Sequence, residues 1–81
     1  MKIIIFKAYS QSAEWQNALT TETRVFDGFD EAVEYVKEEV KRYKFNCNVD
    51  DFEKQLKESN KAKYSCFSYS DSLVFEAIKT N

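Results

Sequence analysis

Carboxylates, lysines, tyrosine hydroxyls and two thiols are the side chains of this sequence that can do chemistry, and histidine is absent. General acid, general base or nucleophilic catalysis near neutral pH calls for a histidine, a carboxylate pair held in a pocket, or an activated Ser, Cys or Lys. The carboxylates fall into three groups: Asp27, Asp30, Glu31 and Glu34; Glu38 and Glu39; Asp50, Asp51 and Glu53. Each group lies where the hydrophobic period predicts the polar face of a helix, so capping and solubility account for it better than proton transfer does. The loop spacing of a calcium site is missing, and Gly28, the one glycine, sits in no phosphate-cradling pattern. Cys47 and Cys66 are too few and too far apart for a zinc or CxxC redox motif. They are expected to be reduced and partly buried, since an unpaired cysteine behaves as a small hydrophobe. No catalytic residue, metal or cofactor is expected, and the reading is that the chain is not an enzyme.

Two other constellations suit binding. Lys61, Lys63, Tyr64, Phe67 and Tyr69 interleave bases with aromatics along one segment, the combination that stacks unpaired bases on a sheet surface. The segment is loosely similar to the third-strand motif of RNA-recognition folds, but it lacks that motif's glycine, and the element order here is not βαββαβ. Cross-strand aromatic packing in a small core explains the same residues. Residues 27–39 carry six acids (Asp27, Asp30, Glu31, Glu34, Glu38, Glu39) against Lys37, a local charge of −5. A solvated helix face accounts for them; the sharper reading is an acidic ridge, with Glu31, Glu34 and Glu38 at its centre, that docks on a basic partner. Lys41, Arg42 and Lys44 follow at once and blunt its field.

These residues must be positioned by elements that the sequence also predicts. Lys2 to Tyr9 reads as a strand whose alternating sets, Ile3, Ile5, Tyr9 and Ile4, Phe6, Ala8, are both apolar, which implies an interior strand covered on both faces. Ser10 to Ala13 reads as a polar connection. Glu14 to Leu19 and Glu22 to Phe26 read as two arms of an irregular strand or hairpin with Trp15, Leu19 and Val25 on one face; a loop at Thr20, Thr21 and Thr23 and a short helix at Ala13 to Ala18 are alternatives.

From Phe29 to Tyr43 the period becomes helical, with Phe29, Ala32, Val33, Val36, Val40 and Tyr43 on one stripe and Asp27 as the expected N-cap. A second helix is predicted over Val49 to Ser59, with Asn48 as N-cap, Cys47 stapled on Phe52, and Asn60 closing it in the left-handed conformation. The chain then forms a hairpin, Ala62 to Tyr69 and Ser72 to Lys79. A two- or four-residue loop places Tyr64, Cys66, Leu73, Phe75 and Ala77 on one side; a three-residue loop exchanges the faces of one strand and puts Phe67, Tyr69, Leu73 and Phe75 together.

The order is therefore β(β)ααββ, an α+β domain with a small, mainly antiparallel sheet of three or four strands and both helices packed on one face. A mass of 9.6 kDa leaves room for one domain, residues 1–81. Twelve bases against fourteen acids give a net charge of −2, which argues against a nucleic-acid partner held by a basic surface. The longest apolar run, Ile3 to Phe6, is too short to span a membrane or serve as a signal peptide, which reads as a cytoplasmic protein without a membrane partner.

Thirteen aromatics are hard to hide on one sheet face, so some of Tyr9, Trp15, Tyr64, Phe67 and Tyr69 are expected at the outer face or an edge. The expected function is that of a small interaction domain, bacterial or from a mobile element, binding an unknown protein partner or a second copy of itself. Trp15, Phe67, Tyr69 and the acidic ridge are the candidate contacts. The alternative is a weak single-stranded nucleic-acid binder using Lys61, Lys63, Phe67 and Tyr69.

Overall fold

The β-branched and aromatic content at the two ends of the chain builds one sheet, and the two helical stretches between them cover it. A computed structural model describes residues 1–12, 17–68 and 71–80. It consists of β1 (Lys2–Ser12), β2 (Asn17–Phe26), α1 (Phe29–Arg42), α2 (Asp50–Glu58), β3 (Lys61–Phe67) and β4 (Asp71–Thr80). The strands form a four-stranded antiparallel sheet in the order β2-β1-β4-β3. The expected α+β architecture and order ββααββ are present. Trp15 and Tyr69 lie outside the described residues.

Side chains alternate across a strand, so the pairing registers sort every residue of the sheet to one of two faces. Ile3, Ile5, Lys7 and Tyr9 of β1, Leu73, Phe75 and Ala77 of β4, and Ala62, Tyr64 and Cys66 of β3 share the inner face. The β3–β4 hairpin thus takes the register that pairs Tyr64 with Phe75 and Cys66 with Leu73. That is the register of the even-length loop, the one that leaves Phe67 on the outer face.

Helix α1 lays Ala32, Val33, Val36 and Val40 on the inner face, and α2 adds Phe52 and Leu56. The core is completed by Phe45 and Val49 of the connection between the helices. Fully burying one such side chain contributes about 1.5–3 kcal/mol, so this single layer of contacts carries the fold.

Several local expectations are corrected. β1 runs through Ser12, so Ser10 is strand and not part of a connection, and β2 is one unbroken strand that includes Thr20, Thr21 and Thr23. Asn17 and Ala18 are extended, which excludes a helix reaching Ala18. Asp27 does not cap α1; the N-cap is Gly28 without a side-chain bond, and the Asp27 carboxylate accepts a hydrogen bond from Lys2 Nζ instead. At α2 the N-cap is Val49, one residue later than expected, yet Asn48 Oδ1 still accepts the Asp50 amide at 2.7 Å. Asn60 is not left-handed: Ser59 ends α2 in an extended conformation, and the one positive φ among the non-glycine residues described is 62° at Lys44.

Lys44 follows α1, where the Phe45 amide donates to the Val40 carbonyl at 3.0 Å and the Lys44 amide to that of Lys41 at 2.9 Å. These are the paired bonds of a Schellman ending. Buried Val40 and Phe45 supply the apolar contact that usually accompanies it.

Candidate interaction surface

Because both helices lie on the inner face, the outer face is left without a second layer among the described residues. It is built in rows across the sheet: Val25, Ile4, Ile78 and Lys61; then Thr23, Phe6, Glu76 and Lys63; then Thr21, Ala8, Val74 and Ser65; then Leu19, Ser10, Ser72 and Phe67. Phe67 is 73% exposed, Leu19 69%, Val25 58%, Ile78 47% and Phe6 41%. The expectation that β1 is covered on both faces is therefore corrected. Ile3 and Ile5 are sealed, whereas Ile4, Phe6 and Ala8 meet solvent.

Charge is distributed unevenly over this surface. The eight outer residues of β1 and β2 in these rows carry none, while Lys61, Lys63 and Glu76 sit on the β3–β4 half, with Lys63 Nζ 3.8 Å from a Glu76 carboxylate oxygen. At about 4.8 Å between strands and 6.8 Å between rows, the four rows span on the order of 500 Å². Half of the sixteen residues in these rows are apolar, interleaved with Thr, Ser, Lys and Glu, and five of them (Phe6, Leu19, Val25, Phe67, Ile78) are large and exposed. Large apolar side chains gathered on one exposed face mark a candidate binding surface.

The two edges of the sheet differ as well. On β3 the Gln55 side chain, reaching from α2, donates from Nε2 to the Lys63 carbonyl at 3.1 Å and accepts the Lys63 amide at Oε1, also at 3.1 Å. One carboxamide thus occupies both backbone groups that Lys63, near the middle of this edge, would offer a neighbouring strand. Beside it a groove of about 340 Å³ is lined by Gln55, Lys61, Lys63, Glu76 and Ile78, with the small side chains Ala62 and Ala77. On β2 no described residue pairs with the far side of the strand.

The inner face holds one buried ion pair. Lys7, 2% exposed, places Nζ 2.6 Å from Glu39 Oε1 and 3.7 Å from Glu22 Oε1, and it donates to the Tyr43 hydroxyl at 3.4 Å. Burial works to lower the Lys7 pKa, but the hydrogen bond and charge of Glu39, with Tyr43, outweigh it and hold the ammonium above its ordinary 10.5. A raised pKa keeps this lysine protonated, the opposite of what a nucleophile or base needs. Glu39 is consequently not part of a solvated ridge: it is buried beneath α1, and Arg42 approaches its second oxygen at 3.5 Å.

Around this pair, Tyr35 donates to Glu22 Oε1 at 2.8 Å and Tyr9 to Asp71 Oδ2 at 3.1 Å. The Tyr9 and Tyr43 rings stack with centroids 4.2 Å apart. Tyr9 and Tyr64 are thus helix-side residues and not outer-face ones; Tyr64 also donates to the Asn48 carbonyl at 2.7 Å. Both cysteines are free thiols, Cys66 buried and Cys47 partly so; burial first, and then a hydrogen bond with Cys47, push the Cys66 thiol up to about 11.

The candidate contacts anticipated from sequence do not form one site. Phe67, Lys61 and Lys63 share the outer sheet face, whereas Glu31, Glu34 and Glu38 are exposed on α1, in the opposite layer. The sequence does not mark Phe6, Leu19, Val25 and Ile78 as contacts, although it places Leu19 and Val25 on one face and the alternation of Ile4, Phe6 and Ala8 announces a second apolar face on β1. Among the described residues no group of three or more acids or cysteines is placed to hold a metal ion, and no helix is long and apolar enough to cross a membrane. The arrangement defines an open-faced, two-layer α+β domain. No family model, curated protein or solved structure matches the chain.

Proposed function

We propose that this protein is a non-catalytic interaction domain whose partner is a second copy of the same chain, seated on the open face of the sheet. The observation that supports it is the outer face itself, which over the four rows of β1 and β2 carries no charge and presents Ile4, Phe6, Leu19 and Val25, and which holds Lys61, Lys63 and Glu76 on the β3–β4 half. An apolar centre with a charged rim is the anatomy of a protein–protein interface. A nucleic-acid platform needs cations within reach of phosphates across its whole surface, and over β1 and β2 the one outer-face cation, Lys2, lies beyond the four rows and is paired with Asp27. Two faces of on the order of 500 Å² each bury about 1,000 Å² together, the lower limit for a specific contact, so association in the micromolar range is expected.

Light scattering across a wide concentration range, with and without single-stranded RNA, tests this reading. The expected result is a mass that climbs above 9.6 kDa with concentration, ignores RNA, and falls back at least tenfold in apparent affinity in Phe6→Lys. A 9.6 kDa species at every concentration overturns it. A mass that rises only with RNA, and is lost on Phe67→Ala, transfers the face to base stacking by Lys61, Lys63 and Phe67.

A further inference from the structure

We infer that two copies also join edge to edge, the β2 strands pairing antiparallel about a two-fold axis at Thr23 to make one continuous eight-stranded sheet. This rests on the reading that the chain is its own partner, but it uses a different surface, the backbone edge of β2. Natural edge strands are normally blunted by lysine, proline, a bulge, or a covering side chain. β3 has both of the means open to it, Lys61 and Lys63 along its length and the Gln55 carboxamide on its backbone. Among the described residues β2 has none of these four: its ten residues contain no lysine or proline, its pairing with β1 runs from Ser12↔Asn17 to Ile3↔Phe26 without a bulge, and no described side chain bonds its outer backbone edge. Its two charges, Glu22 and Arg24, lie on the inner face and make an ion pair with each other.

The polarity of the outer face points the same way. Within a single chain, the outer residues of β2 (Leu19, Thr21, Thr23 and Val25) carry no charge and lie at the border, with Lys61 and Lys63 at the far side, so the uncharged area is displaced to one edge. Joining two β2 edges moves Leu19, Thr21, Thr23 and Val25 to the middle of the sheet and leaves the lysines at both outer rims. The shared face then covers on the order of 1,000 Å², twice what one copy presents.

Charge selects the register. A two-fold axis through the sheet keeps inner residues opposite inner residues, so the pairing must centre on one residue. Centred on Glu22 or Arg24 it sets that charge against itself, and centred on Thr21 it opposes neither charge with its complement. Centred on Thr23 it sets Arg24 of each copy across from Glu22 of the other, twice, at the ~5 Å Cβ separation of directly opposed residues. Within one chain Arg24 Nε already donates to Glu22 Oε1 at 3.1 Å, so the contact across the axis extends an existing pair into a network of four charges. Both side chains keep solvent exposure for it, 55% for Arg24 and 37% for Glu22, and Glu22 retains its bond from Tyr35.

Single cysteines on β2 read the register directly. Thr23→Cys is expected to form a disulfide-linked dimer under mild oxidation, with yield at least tenfold above Thr21→Cys and Val25→Cys. Those two positions oppose each other across the axis and stand about 14 Å from their own copies. The unmodified chain controls for Cys47 and Cys66, and circular dichroism checks that each variant folds. Repeating the measurement in Phe6→Lys separates the two contacts. A Thr23→Cys dimer that persists there supports the edge pairing independently of the face. Oxidation that leaves Thr23→Cys monomeric, or links all three positions equally, overturns the edge pairing, and if the unmodified chain still associates through Phe6, the face reading survives alone.

Discussion

The two faces of β1 are built from the same kinds of residue and meet opposite fates. Ile3 and Ile5 face the helices and are fully buried, while Ile4 and Phe6, their immediate neighbours, face outward and keep contact with solvent. Composition alone does not separate them; the difference comes from what packs above. The chain has only two helices, both are held on one side by short connections, and nothing is left among the described residues to form a third layer. The inner face is also the more polar in one respect, since it carries Lys7 and Glu39, and it tolerates them because each neutralises the other. Fold stability therefore resides on one face, and the surplus apolar surface on the other is free to bind.

The strongest way to break this contrast is to remove one partner of the buried pair. Lys7→Met leaves Glu39 as an uncompensated charge beneath α1, with Arg42 only at its margin, and is expected to cost about 3–5 kcal/mol. A domain of this size has about 4–12 kcal/mol in hand, so the variant stands near the point of unfolding. The double variant Lys7→Met with Glu39→Leu replaces the pair by apolar groups of similar volume and is expected to recover most of the loss. Urea unfolding followed by circular dichroism measures both, and a double variant no more stable than the single one would refute the pairing account.

A matched pair of truncations sharpens the comparison. Ile5→Ala empties a fully buried site and is expected to cost about 2–5 kcal/mol, whereas Ile4→Ala, one residue away, should cost less than about 1.5 kcal/mol when the protein is dilute enough to be monomeric. At concentrations where copies associate, the order of their effects on assembly should reverse. Equal costs in dilute solution would mean that the outer face is covered after all.

How much of this was legible in the sequence follows from how many constraints each residue obeys. Helix α1 is readable because Ala32, Val33, Val36 and Val40 are buried in one apolar stripe, and the period of 3.6 survives intact. β2 is not, because its outward residues Thr21 and Thr23 need not be apolar and its inward Glu22 and Arg24 sit beside the buried pair, so neither face shows a period of two. Lys7 and Glu39 looked like surface charges, since a pairing across 32 residues leaves no local trace. Phe67 stands out by its basic and aromatic neighbours, but its face depends on a hairpin register that both loop lengths allow. Phe6 does not stand out, because an apolar residue on an apolar strand reads as core. Side-chain chemistry favours a left-handed residue at Asn60, yet it falls at Lys44, where the tertiary contact of Phe45 with the core demands it.

The smallest effect tests how dry the inner face is. Cys66 is buried, and its thiol is raised from an ordinary value of 9.0 to about 11, first by burial and then by its hydrogen bond with Cys47. A pKa raised by folding means that the folded state holds its proton where the unfolded chain releases it. The corresponding stability is thus fully present below pH 9 and is lost as the pH rises through about 11. By pH 10 the Cys66 contribution lost is about 1 kcal/mol. Tyr35 and Tyr64 are shifted upward for the same reason, burial, and Lys7 is raised by its partners despite burial, so all four groups lower stability in alkali, though the latter three start from ordinary values of 10.0 and 10.5. Comparing urea midpoints of the wild type and Cys66→Ala at pH 8 and pH 10, under reducing conditions, reads the thiol together with the part of the Tyr64 shift that Cys66 causes, while Tyr35 and Lys7 titrate alike in both. The wild type should lose about 1 kcal/mol more than the variant over this interval. Identical losses would place the thiol in contact with water and would mean that the sheet is wet on both sides, removing the asymmetry from which the binding role of the outer face is drawn.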